Sequence, residues 1–513
     1  MSEGERAVPH QMLVERLSHG WRAAHADVAR DFVSRWRNHL NCDVDIKESG
    51  DGWLPFTCDL SKIRLLGMDS VPRMLIGGDE KDLKEHLEEL WRSNSFGTTP
   101  FLITTSTQSL QVARSVLPPD RCLLLGPDLA IQLLESAKPV EFLKRELRHQ
   151  IPRRGLIPFN VERPAEGGMF CGRSKFVDKL RTDLTSFALA GPARLGKTSL
   201  LRRLKNDLIR SRDPAALSTF YISLYRFKDR TPDGIAQLIA LAIDGRSKNS
   251  TINCERLEQL FQFWSHHFHR PLDLLLDEVD EVLPLRVFDT LEMISRSGYC
   301  RLIVAGKAQL LNEMLSSKRA LAGRLALMRL DPLTSAETED LFLRPMDDLG
   351  FQAPDRQKVL EMIESLTGRM PYLIQYYGRA LVQMLLDRGL ELIDTPVIED
   401  VRDSFEASSY CLSPVMNLTD TKTRTTALAL LKVPKQTLSI QQVQSIVRDH
   451  GLILSFEETR RICNDLILEN VLAWNRGFVE IANGTMIHHA RTSGLIPGLL
   501  KARSSSAGSR GAL

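Results

Sequence analysis

Ser186-Phe-Ala-Leu-Ala190 runs directly into Gly191-Pro192-Ala193-Arg194-Leu195-Gly196-Lys197-Thr198-Ser199, and Leu200, Leu201, Leu204 and Leu208 follow at helical spacing. The pattern is G-x-x-x-x-G-K-[ST] set between a buried strand and a helix, the context in which that spacing forms a phosphate-binding loop. Gly191 and Gly196 let the backbone curl so that successive N–H groups converge on phosphate oxygens. The start of the following helix adds the positive end of its dipole. Lys197 is then placed to reach the β- and γ-phosphates of a nucleotide, and the Thr198 hydroxyl to hold Mg²⁺. These residues predict a parallel sheet of the P-loop type with bound ATP and Mg²⁺, the cofactor-binding set being Gly191 through Ser199.

Working outward, Leu272-Asp-Leu-Leu-Leu-Asp277-Glu278-Val279-Asp280 is an apolar strand ending in two acids. After a phosphate loop, that ending places Asp277 beside the metal and Glu278 where it orients or deprotonates an attacking water. Asp280 and Glu281 are read as structural. A further apolar run, Leu302-Ile-Val-Ala305, ends in Gly306-Lys307. Ligands of such sheets lie at the carboxyl ends of the strands, so Lys307 is either a phosphate sensor or an exposed lysine at a strand end. Arg319, Arg324 and Arg329 are candidates for an arginine that contacts phosphate in this or a neighbouring subunit.

Strand-like runs at 186–190, 219–224, 272–276 and 302–305 alternate with helical ones from residue 170 to about 410, as in an α/β block. Phe170-Cys-Gly172-Arg173 resembles the F-x-G-R box that precedes the loop in STAND and archaeal-type AAA-related ATPases. Leu330-Asp-Pro-Leu333 is similar to the L-x-P-L segment entering their helical lid, and Gly368-Arg-Met-Pro371 to their G-x-P segment, with the glycine displaced by one residue. The resemblance covers roughly 170–410. It implies a slow, regulatory P-loop ATPase in which a lid and a winged helix close on ATP, with self-assembly or an unidentified protein partner as output. Replication-initiator ATPases of the same kind imply the alternative, ATP-gated binding of DNA through the winged helix.

At 513 residues, 43% hydrophobic and 26% charged, the chain has the length of about three domains of roughly 100–200 residues each. Lys and Arg total 67 against 64 for Asp and Glu, so net charge alone points to neither a nucleic acid nor a membrane surface. The expected division is an α/β domain over 1–152, a Pro- and Gly-rich linker over 153–169, the ATPase core over 170–330, a helical lid over 331–415, a winged helix over 420–490 and a disordered tail over 498–513. No repeat of 20 to 50 residues recurs. Eight cysteines are scattered without a C-x-x-C pair, which reads as reduced thiols rather than zinc or redox sites. No basic, apolar leader opens the sequence and no 18-residue apolar run occurs, so the expected location is cytoplasmic, with no membrane partner.

The flanks are less decided. Leu13, Leu17, Trp21, Ala24, Val28, Phe32 and Leu40 form one apolar stripe of a helix. Apolar runs at 53–56, 73–76, 101–104 and 122–125 follow, separated by helical stretches at 82–91 and 110–116. This order, with Phe101-Leu-Ile-Thr-Thr-Ser106 and Cys122-Leu-Leu-Leu-Gly126, resembles a restriction-endonuclease-like core. Such nucleases hold Mg²⁺ with one acid and then an acid-x-lysine triplet. Asp59 stands for the first acid, but 73–76 has no triplet and Asp45-Ile-Lys47 precedes Asp59, so a noncatalytic sensing or adaptor role is expected. At the other end, helices at 425–432, 440–449 and 456–469 precede Val471-Leu-Ala-Trp474, a turn at Asn475-Arg-Gly477, and Phe478-Val-Glu-Ile481, the outline of a winged helix. Its third helix mixes Glu457 and Glu458 with Arg460 and Arg461. Those arginines with Arg476 suit phosphate contacts, and an internal packing module fits as well. His266, His267 and His269, and the pair His488 and His489, lack the partners of a metal site and read as surface or packing residues.

Overall fold

The computed structural model describes residues 26–40, 44–46, 53–58, 73–77, 84–85, 87–88, 101–104, 107–117, 122–165, 167–210, 213–225, 227–245, 253–282, 287–307, 310–311, 314, 325–404, 411–412, 414–416, 418, 420–433 and 437–492. Contacts divide the chain into two compact units. One comprises Met1–Cys171, Asp340–Pro354 and Gly378–Ile393, the other Gly172–Glu339, Asp355–Tyr377 and Asp394–Leu513.

The first unit contains a five-stranded sheet in the order β1 (Val44–Ile46), β2 (Trp53–Cys58), β3 (Arg73–Gly77), β4 (Phe101–Ile103), β5 (Leu123–Leu125). The β1–β2 and β2–β3 pairs are antiparallel, β3–β4 and β4–β5 parallel. The parallel strands β4 and β5 are joined by a crossover that carries the helix Thr107–Val116. In the helix Ala26–Leu40, Phe32, Trp36 and Leu40 recur every four residues and all are buried. The part of the expected stripe from Leu13 to Ala24 lies outside the described residues, as do Asp59 and Lys47. In the helix Pro139–Gln150, Lys144 Nζ donates to Asp348 Oδ1 at 2.9 Å, and just beyond it the Arg153 guanidinium meets Glu391 at 3.1 Å. These bonds tie the segments 340–354 and 378–393 to this unit.

The second unit is built on a wholly parallel sheet in the order β10 (Ala326–Arg329), β6 (Phe187–Ala190), β9 (Cys300–Gly306), β8 (Leu272–Asp277), β7 (Thr219–Ser223). Every residue of β6, β8 and β9 is buried, as expected for strands covered by helices on both faces. Several boundaries differ from expectation: β6 starts one residue later and β7 ends one earlier, β8 includes Asp277, and β9 runs from Cys300 to Gly306, beyond the apolar run at both ends. The strand β10 was not expected: its apolar run, Leu325 to Met328, is short and flanked by arginines, three of its four side chains are exposed, and it is held by its pairing with β6.

Within the same unit, helices Thr421–Leu431, Ile440–Asp449 and Phe456–Leu468 lead to the antiparallel hairpin β11 (Leu472–Asn475) and β12 (Phe478–Ile481). The hairpin turn takes Arg476 and Gly477 to positive φ. Reciprocal capping boxes start two of these helices, Ser439 with Gln442 and Ser455 with Glu458, satisfying backbone donors that would otherwise be orphaned. The first helix begins four residues before its expected start, because the Asp420 carboxylate caps it at Thr423. A final helix, Gly484–Thr492, was not expected. It carries His488 and His489, and His488 Nε2 lies 2.8 Å from an Asp403 carboxylate oxygen. Among the described residues no helix is long and apolar enough to cross a membrane.

Candidate functional site: the carboxyl ends of β6, β8 and β9

The sheet order puts β9 between β6 and β8, so three loops that are far apart in sequence emerge side by side. After β6, the loop bends through Arg194 (φ 62°) and Gly196 (φ 92°) before the helix Lys197–Arg210 begins. A side chain at Gly196 would be strained by that conformation. Gly191 is needed for a different reason: a Cβ there would stand 3.1 Å from the Leu330 carbonyl oxygen. Lys197 is 6% exposed, and its ammonium donates to the carbonyls of Gly191 (2.7 Å) and Pro192 (2.6 Å). Burial pushes it down to about 8, against the pull of Glu278 and Asp280. A phosphate oxygen is the kind of acceptor that would offset this desolvation. Thr198 is half-buried and Ser199 buried in the first turn of that helix.

At the tip of β8, Asp277 is 2% exposed, and both its oxygens are engaged. Tyr221 Oη donates to Oδ2 at 2.9 Å, and the Glu278 N–H to Oδ1 at 3.0 Å. Glu278 itself has φ 59°, an unusual left-handed conformation for a glutamate, and is half-buried. Burial raises its carboxyl while Lys307, whose Nζ is 3.8 Å from Oε2, pulls it down. A hydroxyl at Thr198 and a buried carboxylate at Asp277 are hard oxygen donors of the kind Mg²⁺ takes together with phosphate oxygens.

The tip of β9 shows what sequence reasoning assigned to no function. The Asp280 carboxylate accepts the backbone N–H of Lys307 and of Leu310, tying the loop after β8 to the loop after β9. A Cβ on Gly306 would stand 2.3 Å from that carboxylate and 2.7 Å from Leu310 Cβ. Asp280 therefore holds the backbone that carries Lys307. Tyr221 was also missed. Nothing in Thr219-Phe-Tyr-Ile-Ser distinguishes that tyrosine from any strand residue until β7 and β8 pair. Burial, and then the charge of Asp277, push its hydroxyl up to about 12, and Arg202 lies over its ring at 5.6 Å. Of the candidate arginines, Arg329 is exposed on β10, and Arg319 and Arg324 lie outside the described residues.

The 330–373 segment comes back onto the loop. Arg173 bonds the Asp331 carbonyl, and the Leu333 N–H donates to the Arg369 carbonyl at 3.0 Å. Gly368 and Arg369 both take positive φ, which turns the chain into the helix Pro371–Arg388. In spite of the displaced glycine, that turn brings Tyr372 against the loop, with the Arg194 guanidinium 4.9 Å above its ring. A cleft of about 250 Å³ opens here, bordered by Arg194, Lys307, Met370, Tyr372, Glu469 and Asn470, among others.

Residues 181–315 match the AAA domain family. The central block has the parallel-sheet P-loop NTPase fold. Among solved structures the chain is similar to a Walker-type ATPase of Pyrococcus abyssi, at 14% identity and a TM-score of 0.48 over 63% of this chain and 96% of that one. It is also similar to the Aeropyrum pernix ORC2 protein in ADPNP–ADP complexes, at 11% identity and a TM-score of 0.44 over 65% and 95%. A third is the Aeropyrum pernix ORC1 protein in complex with DNA, at 17% identity and a TM-score of 0.37 over 64% and 94%. No curated protein sequence matches the chain. Arg460, Arg461 and Arg476, the candidate DNA contacts, are all exposed.

Proposed function

We propose that this protein is a Mg²⁺-dependent ATP-binding and ATP-hydrolysing switch, in which residues 420–490 act as a winged helix that reads the nucleotide state and couples it to self-assembly. The observation that carries this reading is a shared cleft: Arg194 of the phosphate loop, Lys307, Met370 and Tyr372 of the lid segment, and Glu469 and Asn470 beyond it all border the same space. Lys197 holds the β- and γ-phosphates, with the loop N–H groups and the helix start around them. Thr198 and Asp277 are the residues that would hold Mg²⁺, which supplies charge neutralisation of the phosphates when bound. Glu278 accepts the proton of the attacking water, whose oxygen forms the new bond to the γ-phosphorus as the bond to ADP breaks. Lys307 faces the charge that develops there. The half-buried setting that raises the Glu278 carboxyl makes it a better base than an exposed glutamate.

Tyr221 fits this scheme as the group that orients Asp277. Partners of this kind change metal affinity by about 10–100-fold when removed. Tyr221→Phe is therefore expected to raise the Mg²⁺ concentration needed for half-maximal ATP binding by about tenfold, with Mg²⁺-independent ADP binding unchanged. An unaltered Mg²⁺ titration would remove Tyr221 from the role.

The switch itself is tested by the solution mass of the Glu278→Gln protein, measured by light scattering with and without Mg²⁺ and ATP. Blocking hydrolysis should trap the ATP state, and a defined ATP-dependent increase in mass is expected. ATP bound at the mass of a single chain would reject self-assembly as the output and favour the DNA-binding alternative.

A further inference from the structure

The helix Phe456–Leu468 ends inside the AAA domain's cleft. Its last residue, Leu468, is buried in a small cluster with Ala190 at the end of β6 and Leu311 beyond β9. The next two residues, Glu469 and Asn470, border the cleft together with Arg194, Lys307 and Asn483. Asn470 has φ 57°, is only 9% exposed, and its Nδ2 has no hydrogen-bond partner. A buried amide donor without a partner is unfavourable, and acceptor oxygens in the cleft would satisfy it.

Glu469 is the stranger of the two. It is the C-cap of its helix, where the exposed carbonyls and the negative end of the dipole favour a cation and oppose a carboxylate. Burial raises its carboxyl further, and the opposing pull comes from Lys307 and then Lys197, the lysines of the phosphate site. Its surroundings are also held in place. Thr485 Oγ1 donates to the Leu366 carbonyl (2.9 Å) and lies 2.6 Å from Tyr377 Oη, and the Ala482 carbonyl oxygen packs where a Cβ of Gly368 would be. The acid thus meets the cleft on a firmly anchored support.

We propose that Glu469 is a specificity-determining residue of the nucleotide site, selecting nucleoside diphosphate over triphosphate in the arrangement seen here. This rests on the nucleotide-site reading above. A diphosphate ends at the oxygens held by Lys197 and the loop. A γ-phosphate extends toward Lys307 and brings further negative charge against the Glu469 carboxylate, a like-charge contact in a confined space. A triphosphate is therefore disfavoured in this arrangement, while Asn470 remains a donor to either nucleotide.

The test is calorimetric titration of the full chain with ADP and with a non-hydrolysable ATP analogue, for wild type, Glu469→Gln and Glu469→Ala. Both substitutions are expected to tighten the analogue by about tenfold or more, the equivalent of about 1.4 kcal/mol, and to leave ADP within about twofold. Two variants of different shape separate charge from packing, and an unchanged thermal unfolding midpoint shows that each has folded. If wild type binds ADP but neither variant gains affinity for the analogue, Glu469 does not select between nucleotides. Wild type that binds neither nucleotide would instead overturn the nucleotide-site reading itself.

Discussion

Exchange of Lys197 for alanine is expected to weaken nucleotide binding by between about one hundred-fold and a few thousand-fold. The size follows from where the ammonium sits. Lys197 is almost wholly buried at the start of its helix, and Arg194, the nearest cation in the loop, is exposed and engaged with the Tyr372 ring. Without Lys197 the phosphates would meet a buried site lacking its cation. Removing one partner of a buried charge pair costs about 3–5 kcal/mol, and each 1.4 kcal/mol is a factor of ten in affinity. The protein without nucleotide should fold, because the variant loses two hydrogen bonds to the Gly191 and Pro192 carbonyls but also sheds a desolvated charge. Fluorescent-nucleotide titration beside a thermal melt checks both points. An affinity within about threefold of wild type in a folded variant would refute the phosphate-loop role of Lys197.

Glu278→Gln is expected to separate binding from turnover. Its side chain sits beside Asp277 and 3.8 Å from the Lys307 ammonium, and an amide keeps the shape of that arrangement. It cannot take a proton from water. Loss of a positioned general base lowers the rate by about 10²–10⁴-fold. The isosteric change leaves the hydrogen bond from the residue's own N–H to Asp277 intact, so Mg²⁺ and ATP binding should stay near the wild-type level. Single-turnover release of phosphate, measured next to equilibrium binding, distinguishes the two. Hydrolysis at the wild-type rate would place the base elsewhere. A parallel loss of binding and turnover would make Glu278 a structural residue, with its left-handed backbone the point to investigate.

Both substitutions concern residues that could be singled out from the sequence, and the reason is local. The phosphate loop is one continuous stretch whose chemistry is carried mainly by backbone N–H groups and the first turn of a helix, so spacing and glycine positions suffice to recognise it. Asp277 and Glu278 stand out because they are consecutive acids at the carboxyl end of an apolar run. The capping boxes at Ser439 and Ser455 are local in the same sense, since partner and donor are three residues apart, but they were identified in the structure. Where a pattern was weak, expectation failed. The apolar run of the exposed strand β10 is only four residues long between arginines, and the Gly484–Thr492 helix was not recognised as a unit after the hairpin.

Tertiary structure decided the rest of the site. Tyr221 reaches Asp277 only because β7 lies beside β8, and Asp280 reaches the Lys307 backbone only because β9 lies beside β8. Glu469 and Asn470 come from a helix more than a hundred residues past Lys307 and enter the cleft through the burial of Leu468. The sequence by itself determined the glycine-rich loop between strand and helix and the acidic strand end, because each is an arrangement of near neighbours along the chain. Which other side chains face that loop was settled by the β10-β6-β9-β8-β7 strand order and by packing between distant segments, since burial rewards contact in space whatever the separation in sequence.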